Sequence, residues 1–438
     1  MSSNATVVVG TPYSRITDPN GVHRLAVDSY VAPFTNVNTV NGNVDAFGRL
    51  RSSQPTSIFD AKQVYDSQPL LFSEFTANGG TTTYVQAKAA TTLDAGANPA
   101  GQSLRQTKRY LNYQPGKSQL AFVTFNLNGV VAGVNKSVGV FDDNNGIFLR
   151  AKADGTVVVV RRSNVSGIVV DTEVPQAAWN VDPMNGAGPS GVTLDLTKVQ
   201  ILVIDYEWLG VGSVRIGFDV GQAICYVHHF EQSNIGTVVY MQTPNLPVRW
   251  EVANSAAPAA STSIDAICCS VQSEGGANPL ALQRTASRGV SGANANTTLQ
   301  SLFTVRLKSA YNRATVFPLN GSVVTTDNGI DYYGQLILNP AFTVAPGSWV
   351  PVGNSAVEYS LSQTTVSGGV VLSEFYGIST SPGASGSALT TTSADLNSAL
   401  ALASDYAGTS DVLTIAVRTL SGSTSASMYA WIDWLELL

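Results

Sequence analysis

Residues 199–230 read VQILVIDYEWLGVGSVRIGFDVGQAICYVHHF, and the periodicity of this stretch decides the fold class. Leu202, Ile204, Tyr206 and Trp208 fall on one face of a first strand, while Val199, Ile201 and Val203 make the other face apolar at its start. After LGVGS at residues 209–213 the alternation resumes. Val214, Ile216, Phe218 and Val220 face one way, and Arg215, Gly217 and Asp219 the other. A turn at Gly221 and Gln222 leads to Ile224, Tyr226, His228 and Phe230 on one face of a third strand. Period two with glycine punctuation predicts an antiparallel meander and excludes a helix here.

The rest of the 438 residues agrees with this reading. Charged residues make up 12%, about half of the roughly 25% usual in soluble domains. Such a chain favours short strands with polar Ser, Thr, Asn and Gly surfaces over long solvated helices, which carry Glu and Lys faces. The formal charge of −6 leaves no electrostatic footprint for nucleic acid, so no nucleic-acid partner is expected. After Arg313 the one basic residue is Arg418. No apolar run approaches the roughly 20 residues of a membrane span, and residues 1–10 lack the basic start of a secretory signal, so no membrane partner is expected either. Cys225, Cys268 and Cys269 are read as free thiols of a chain made in a reducing cytosol.

In chain order, residues 1–57 are turn-rich, with Asp18-Pro19-Asn20-Gly21 as the strongest signal, and are expected to form an extended N-terminal arm. Val40, Val44, Phe47 and Leu50 give the arm apolar points that could pack on another surface. Residues 58–280 are expected to form a jelly-roll β-sandwich of about eleven strands, one of them at residues 237–241. Residues 281–438 form a second β-sandwich, reached through a Gly, Ala and Asn-rich connection at residues 275–300. Residues 393–407, SADLNSALALASDYA, predict one short helix with Ser393 as N-cap and Leu396, Leu400 and Ala403 as its apolar stripe. Both sandwiches close on an apolar strand carrying one aspartate, STSIDAICCSV and ASMYAWIDWLEL. The expected class is therefore all-β, two sandwiches in tandem.

Several constellations invite chemistry. Asp205 and Glu207 alternate on one strand face, which puts their α-carbons about 6.5–7 Å apart, within range of a glycosidase carboxylate pair. Val203 and Leu209 occupy the flanking positions where a third acid would extend the series, so a strand leaving the core is the better reading. Cys225, His228 and His229 could suggest a metal, but adjacent strand residues point to opposite faces. Asp142-Asp143-Asn144-Asn145-Gly146 lacks the closing glutamate of a calcium loop and reads as a turn. GAGPSG at residues 186–191 has no phosphate-loop lysine. Arg161-Arg162 and Arg105, Lys108 and Arg109 form a candidate basic patch for an acidic neighbour or a strand edge, and Tyr110, Tyr113, Trp179 and Trp250 are aromatics able to stack on sugar. No catalytic, cofactor-binding or metal residue is assigned.

The phrases NVDAFGRLRSSQPTSIFDAKQVYDSQP, YQPGKSQL, FDDNNGIFLRAKADGTVVVVRRS, WLGVGSVRIGF and TPNLPVRWEV span about half the chain. They resemble a virion structural protein family of tailed phages and large viruses, and VRLKSAYNRATVFPL resembles its continuation. The run around Trp208 also looks like a concanavalin or laminin-G type jelly roll. The resemblance implies a virion structural component with no catalytic residue to carry over. Together with the low charge and the Ser, Thr, Gly and Asn-rich composition it leads to the expectation of a non-enzymatic protein of a tail fibre, spike or other appendage, assembled in the host cytoplasm as a homo-oligomer, a trimer, alongside other virion proteins. Its alternatives are a capsid decoration protein or head fibre, and a carbohydrate-binding or glycan-cleaving jelly roll. A host-surface glycan is a compatible partner for the appendage.

Overall fold

The computed structural model describes residues 14–17, 23–26, 54–221, 223–260, 262–276, 281–327, 329–378, 400–420 and 426–437. The chain divides into two compact units, Met1–Gln54 and Pro55–Leu438. In the first, Ser14–Thr17 pairs antiparallel with His23–Ala26. The expected apolar points of the arm at Val40, Val44, Phe47 and Leu50 lie outside the described residues.

The second unit is two β-sandwiches in tandem, and every strand pairing in it is antiparallel. The first sandwich packs a seven-stranded sheet on an eight-stranded one. The opening stretch supplies three adjacent strands of the latter, Gln200–Tyr206, Val214–Asp219 and Ile224–Phe230. Leu202, Ile204, Tyr206, Val214, Ile216 and Phe218 point into the inter-sheet core, where they meet Val138, Leu149, Val248 and Trp250 of the opposite sheet. Burying such side chains contributes roughly 1.5–3 kcal/mol each, which is why the alternation dictates the face. The third strand departs from expectation. A bulge falls between Ile216 and Gly217, with Val227 the unpaired residue, so Cys225 and Val227 face the core while Tyr226 turns outward opposite Gly217.

Three further expectations are corrected. Residues 237–241 form a loop, not a strand, although Tyr240 and Met241 still seal the core. Leu282–Ser287 and Ala293–Ala295, inside the expected connection, are strands of the second sandwich. Of the expected helix, residues 393–399 lie outside the described residues and 400–407 are not helical. Leu402 donates its N–H to Val316 O at 2.8 Å, and Asp405 donates to Thr409 O at 2.9 Å. A strand offering a backbone partner outweighs the few tenths of a kcal/mol per residue of helix propensity.

The second sandwich has a four-stranded sheet gathered on Ala426–Leu437 and a six-stranded sheet ordered Val350–Pro351, Val357–Ser360, Gln300–Leu307, Val412–Thr419, Asp331–Leu338, Val370–Ile378. The closing strands behave alike in both sandwiches. Ser263–Glu274 and Ala426–Leu437 are each 12 residues long and each pairs with three other strands.

The two sandwiches meet along a seam of ion pairs and rings. Arg313 pairs with Asp142 at 2.8 Å and Lys108 with Asp411 at 3.4 Å. Thr315 Oγ1 donates to Tyr110 O at 2.9 Å, and the Arg109 guanidinium lies 4.8 Å from the Phe317 ring centre. Tyr406 inserts between Phe75, 4.9 Å away, and Arg249, 5.4 Å away, while its N–H donates to Ser73 Oγ.

Candidate functional site

Asp205 sits on the outer face of its strand, 4% exposed, with both carboxylate oxygens engaged. Oδ1 accepts from Ser118 Oγ at 2.6 Å, while Oδ2 accepts from the Arg215 guanidinium and from Tyr226 Oη at 3.3 Å. Glu207 lies past the end of the strand, exposed, where its N–H and Ser213 O close the hairpin. One carboxylate is therefore fixed in a hydrogen-bonded ion pair and the other stands in a solvated turn.

The histidines are positioned by the loop at residues 176–182. Asn180 N donates to His228 Nδ1 at 3.3 Å, and His229 N donates to Asn180 Oδ1 at 2.8 Å. His228 packs edge-on against Phe230, and burial, helped by His229, pushes its imidazole down to about 4. Cys225 Sγ meets Asp182 Oδ2 at 3.7 Å instead of a histidine. Among the described residues, no three His, Cys, Asp or Glu side chains gather as a metal would require. The 142–146 segment is an Asx turn, in which Asp142 Oδ1 accepts from the Asn144 and Asn145 N–H groups, and Arg249 takes Asp143 at 2.6 Å.

The expected basic patch is used inside the chain. Arg162 pairs with Asp171, Arg105 with Glu74 beneath Phe72, and Lys108 and Arg109 hold the second sandwich. The expected sugar-stacking residues Tyr110, Tyr113, Trp179 and Trp250 are all buried. An open apolar groove of about 700 Å³ runs beside Arg161, Val170, Ile235, Val238 and Tyr240.

The exposed aromatic cluster lies instead on the second sandwich, and two similar tripeptides build it. Tyr332-Tyr333-Gly334 and Phe375-Tyr376-Gly377 sit on neighbouring strands in a register that pairs Tyr333 with Tyr376, Gly334 with Phe375 and Tyr332 with Gly377. Each inward ring lies over the glycine of the other strand. A Cβ on Gly334 would meet Phe375 Cζ at 2.1 Å, and one on Gly377 would meet Tyr332 Cζ at 2.0 Å. Tyr332 also donates its hydroxyl to Val323 O at 2.9 Å. Because successive strand residues point to opposite faces, anchoring Tyr332 and Phe375 in the core forces Tyr333 and Tyr376 outward, side by side.

Their ring centres are 5.2 Å apart, tilted by 48°, and Tyr376 is 66% exposed. Glu374 and Gln335 face each other one step along the same outer surface. Glu374 Oε1 accepts from Tyr333 Oη at 2.5 Å and from Gln335 Nε2 at 2.9 Å, and these bonds hold its carboxyl below the usual range. On the other side Arg418 is paired in register with Tyr333, its guanidinium 5.4 Å from the ring centre. The sequence reading passed over this cluster. The signal was present in the doubled aromatic-Tyr-Gly tripeptide and in the isolated Arg418, but the cross-strand register that joins them was not.

No family model matches the sequence, and no curated protein sequence is similar to it. Among solved structures, a glycosyl hydrolase family protein from Mycobacterium fortuitum is similar at 10% identity and a TM-score of 0.34, covering 49% of this chain and 99% of its own. A Bacillus licheniformis β-glucanase is similar at 10% identity and 0.30, covering 52% and 100%. The Emp46p carbohydrate recognition domain is similar at 9% identity and 0.32, covering 50% and 97%.

Proposed function

We propose that this chain is a non-enzymatic carbohydrate-binding β-sandwich protein. The observation that carries the reading is the outward Tyr333–Tyr376 pair, Tyr376 exposed and Tyr333 half-buried, set by the rings beneath it and bordered by Glu374, Gln335 and Arg418. A pyranose presents a face of C–H bonds ringed by hydroxyls. The electron-rich tyrosine faces suit the C–H bonds, and fixed amide, carboxylate and guanidinium groups at the border suit the hydroxyls. A preformed site of this kind loses little side-chain entropy on binding. The non-enzymatic part is supported by Asp205, whose oxygens are occupied by Arg215, Ser118 and Tyr226. The test is a glycan array run in parallel with a reducing-sugar release assay. Retention of glycans without cleavage is the expected result. Cleavage that Asp205→Asn abolishes would overturn the non-enzymatic half, and a blank array would overturn the binding half.

A second reading is favoured by the sequence phrases at residues 43–69, 141–163, 208–218 and 243–252. On this reading the chain is a structural component of a virion, in a tail fibre, spike or other appendage, or on the capsid as a decoration protein or head fibre. It assembles as a homotrimer beside other virion proteins, and the sugar site serves host attachment. Cryo-electron microscopy of intact particles tests this reading, and absence of the protein from virions would dismiss it.

A further inference from the structure

Arg418 is the one basic residue in the 125 positions after Arg313, and it stands on the outer face of Val412–Thr419 directly beside Tyr333. It is exposed, and among the described residues no carboxylate forms an ion pair with it. Its guanidinium lies 5.4 Å from the Tyr333 ring centre, so the ring steadies it from one side and leaves its N–H fork open. On the far side of the ring Glu374 is occupied by Tyr333 Oη and Gln335 Nε2, while on the near side exposed Asp331, whose backbone O accepts from Leu420 N–H, borders the guanidinium without an ion pair to it. A strip results with a cation at one end, two tilted rings in the middle, and an anchored carboxylate with an amide at the other end.

This polarity goes beyond sugar binding in general and rests on the carbohydrate-binding reading above. We infer that the Tyr333–Tyr376 strip takes a saccharide bearing a carboxylate on its pyranose ring. The sugar carboxylate lies on the Arg418 fork, the C–H face on Tyr376 and Tyr333, and a hydroxyl or N-acyl N–H on Glu374. A neutral sugar would leave the guanidinium without its matching partner. An acidic one gains a charge-assisted pair, and a planar fork opposite a carboxylate is the geometry in which arginine outperforms lysine. Uronic acids and sialic acids share this chemistry.

The experiment is titration calorimetry of the full chain with three probes: an oligomer of a hexuronic acid, sialyllactose, and neutral lactose. One or both acidic probes should bind at least tenfold more tightly than lactose, and the arm that responds distinguishes the two sources. Arg418→Met should weaken that binding by about ten- to a hundredfold, and Arg418→Lys should restore only part of it. Raising NaCl from 50 to 300 mM should weaken it further, because the pair is exposed. Unfolding midpoints of the variants, expected unchanged, control for folding. Equal binding of lactose and the acidic probes, sensitive to Tyr376→Ala but not to Arg418→Met, would overturn the acidic preference and leave the carbohydrate reading standing. Binding to none of the probes by a protein that does retain other glycans would overturn this inference alone. Binding to no glycan at all would overturn both.

Discussion

Gly334→Ala gives a sign that separates two physical pictures of the second sandwich. In an ordinary strand, replacing glycine by alanine stabilises by roughly 0.5–1 kcal/mol, because glycine loses more backbone freedom on folding. The backbone at Gly334 needs no positive φ, so nothing local opposes the change. The Phe375 ring does oppose it, since the new Cβ would sit 2.1 Å from Cζ and 2.4 Å from Cε2. The ring must tilt out of its well, and overpacking of this kind costs about 1–3 kcal/mol. Phe375 is 8% exposed and packs edge-on to Tyr332 at 6.4 Å, so it has little room to give way. Shortening the side chain to leucine removes the outer ring atoms that clash. In the Phe375→Leu background the same Gly334→Ala change should therefore be neutral or stabilising, a coupling of about 1–3 kcal/mol in a double-mutant cycle. Urea denaturation of the four proteins measures it. A neutral or stabilising Gly334→Ala in the parent, or an equal cost in both backgrounds, would refute the interlock and with it the reason for the outward tyrosine pair.

Three further outcomes are expected. His228 has its folded pKa lowered to about 4 from an unfolded value near 6.5, so the unfolded chain binds the extra proton between these limits. Stability from this group is complete above about pH 6.5 and falls as pH drops toward 4; His228→Gln should flatten that part of a stability-versus-pH curve. Asp205→Asn should cost about 1–3 kcal/mol by leaving the Arg215 guanidinium without its charge partner, and Glu207→Gln, at the exposed turn, within about 0.5 kcal/mol, both read by urea denaturation. Tyr406→Ala removes the ring between Phe75 and Arg249 and should cost about 2 kcal/mol, splitting a joint calorimetric transition into two as the sandwiches uncouple.

How much of this was legible in sequence follows from the range of each cause. The alternation of Leu202, Ile204 and Tyr206, and of Val214, Ile216 and Phe218, is local; it set each three on one face of its strand, and that face is the one the core takes. The bulge at Val227 was not legible, because it arises from pairing with Val214–Asp219 and leaves no mark on periodicity. Leu402 looked helical beside Leu400 and Ala403 until Val316 offered its carbonyl. Trp250 and Tyr113 looked available for sugar because an aromatic gives no sign in sequence of what covers it, whereas Trp250 lies in the inter-sheet core and Tyr113, in a loop, packs on Tyr206 and Trp208. Arg105 and Lys108 looked like surface charge, yet their partners Glu74 and Asp411 lie 31 and 303 residues away. For Tyr333 and Tyr376 the tripeptides were visible, but their meaning required the register that sets each ring over the other strand's glycine.

The most direct measurement is hydroxyl-radical footprinting of the tyrosines, read by mass spectrometry with and without a glycan the protein retains. Tyr376, 66% exposed, and its neighbour Tyr333 should lose modification when sugar is bound, while Tyr65, 84% exposed, and Tyr311, 44% exposed, should stay unchanged as internal references. Protection at the surface around Glu207 with Tyr376 unchanged, or no protection at either place, would contradict the assignment of sugar binding to the second sandwich.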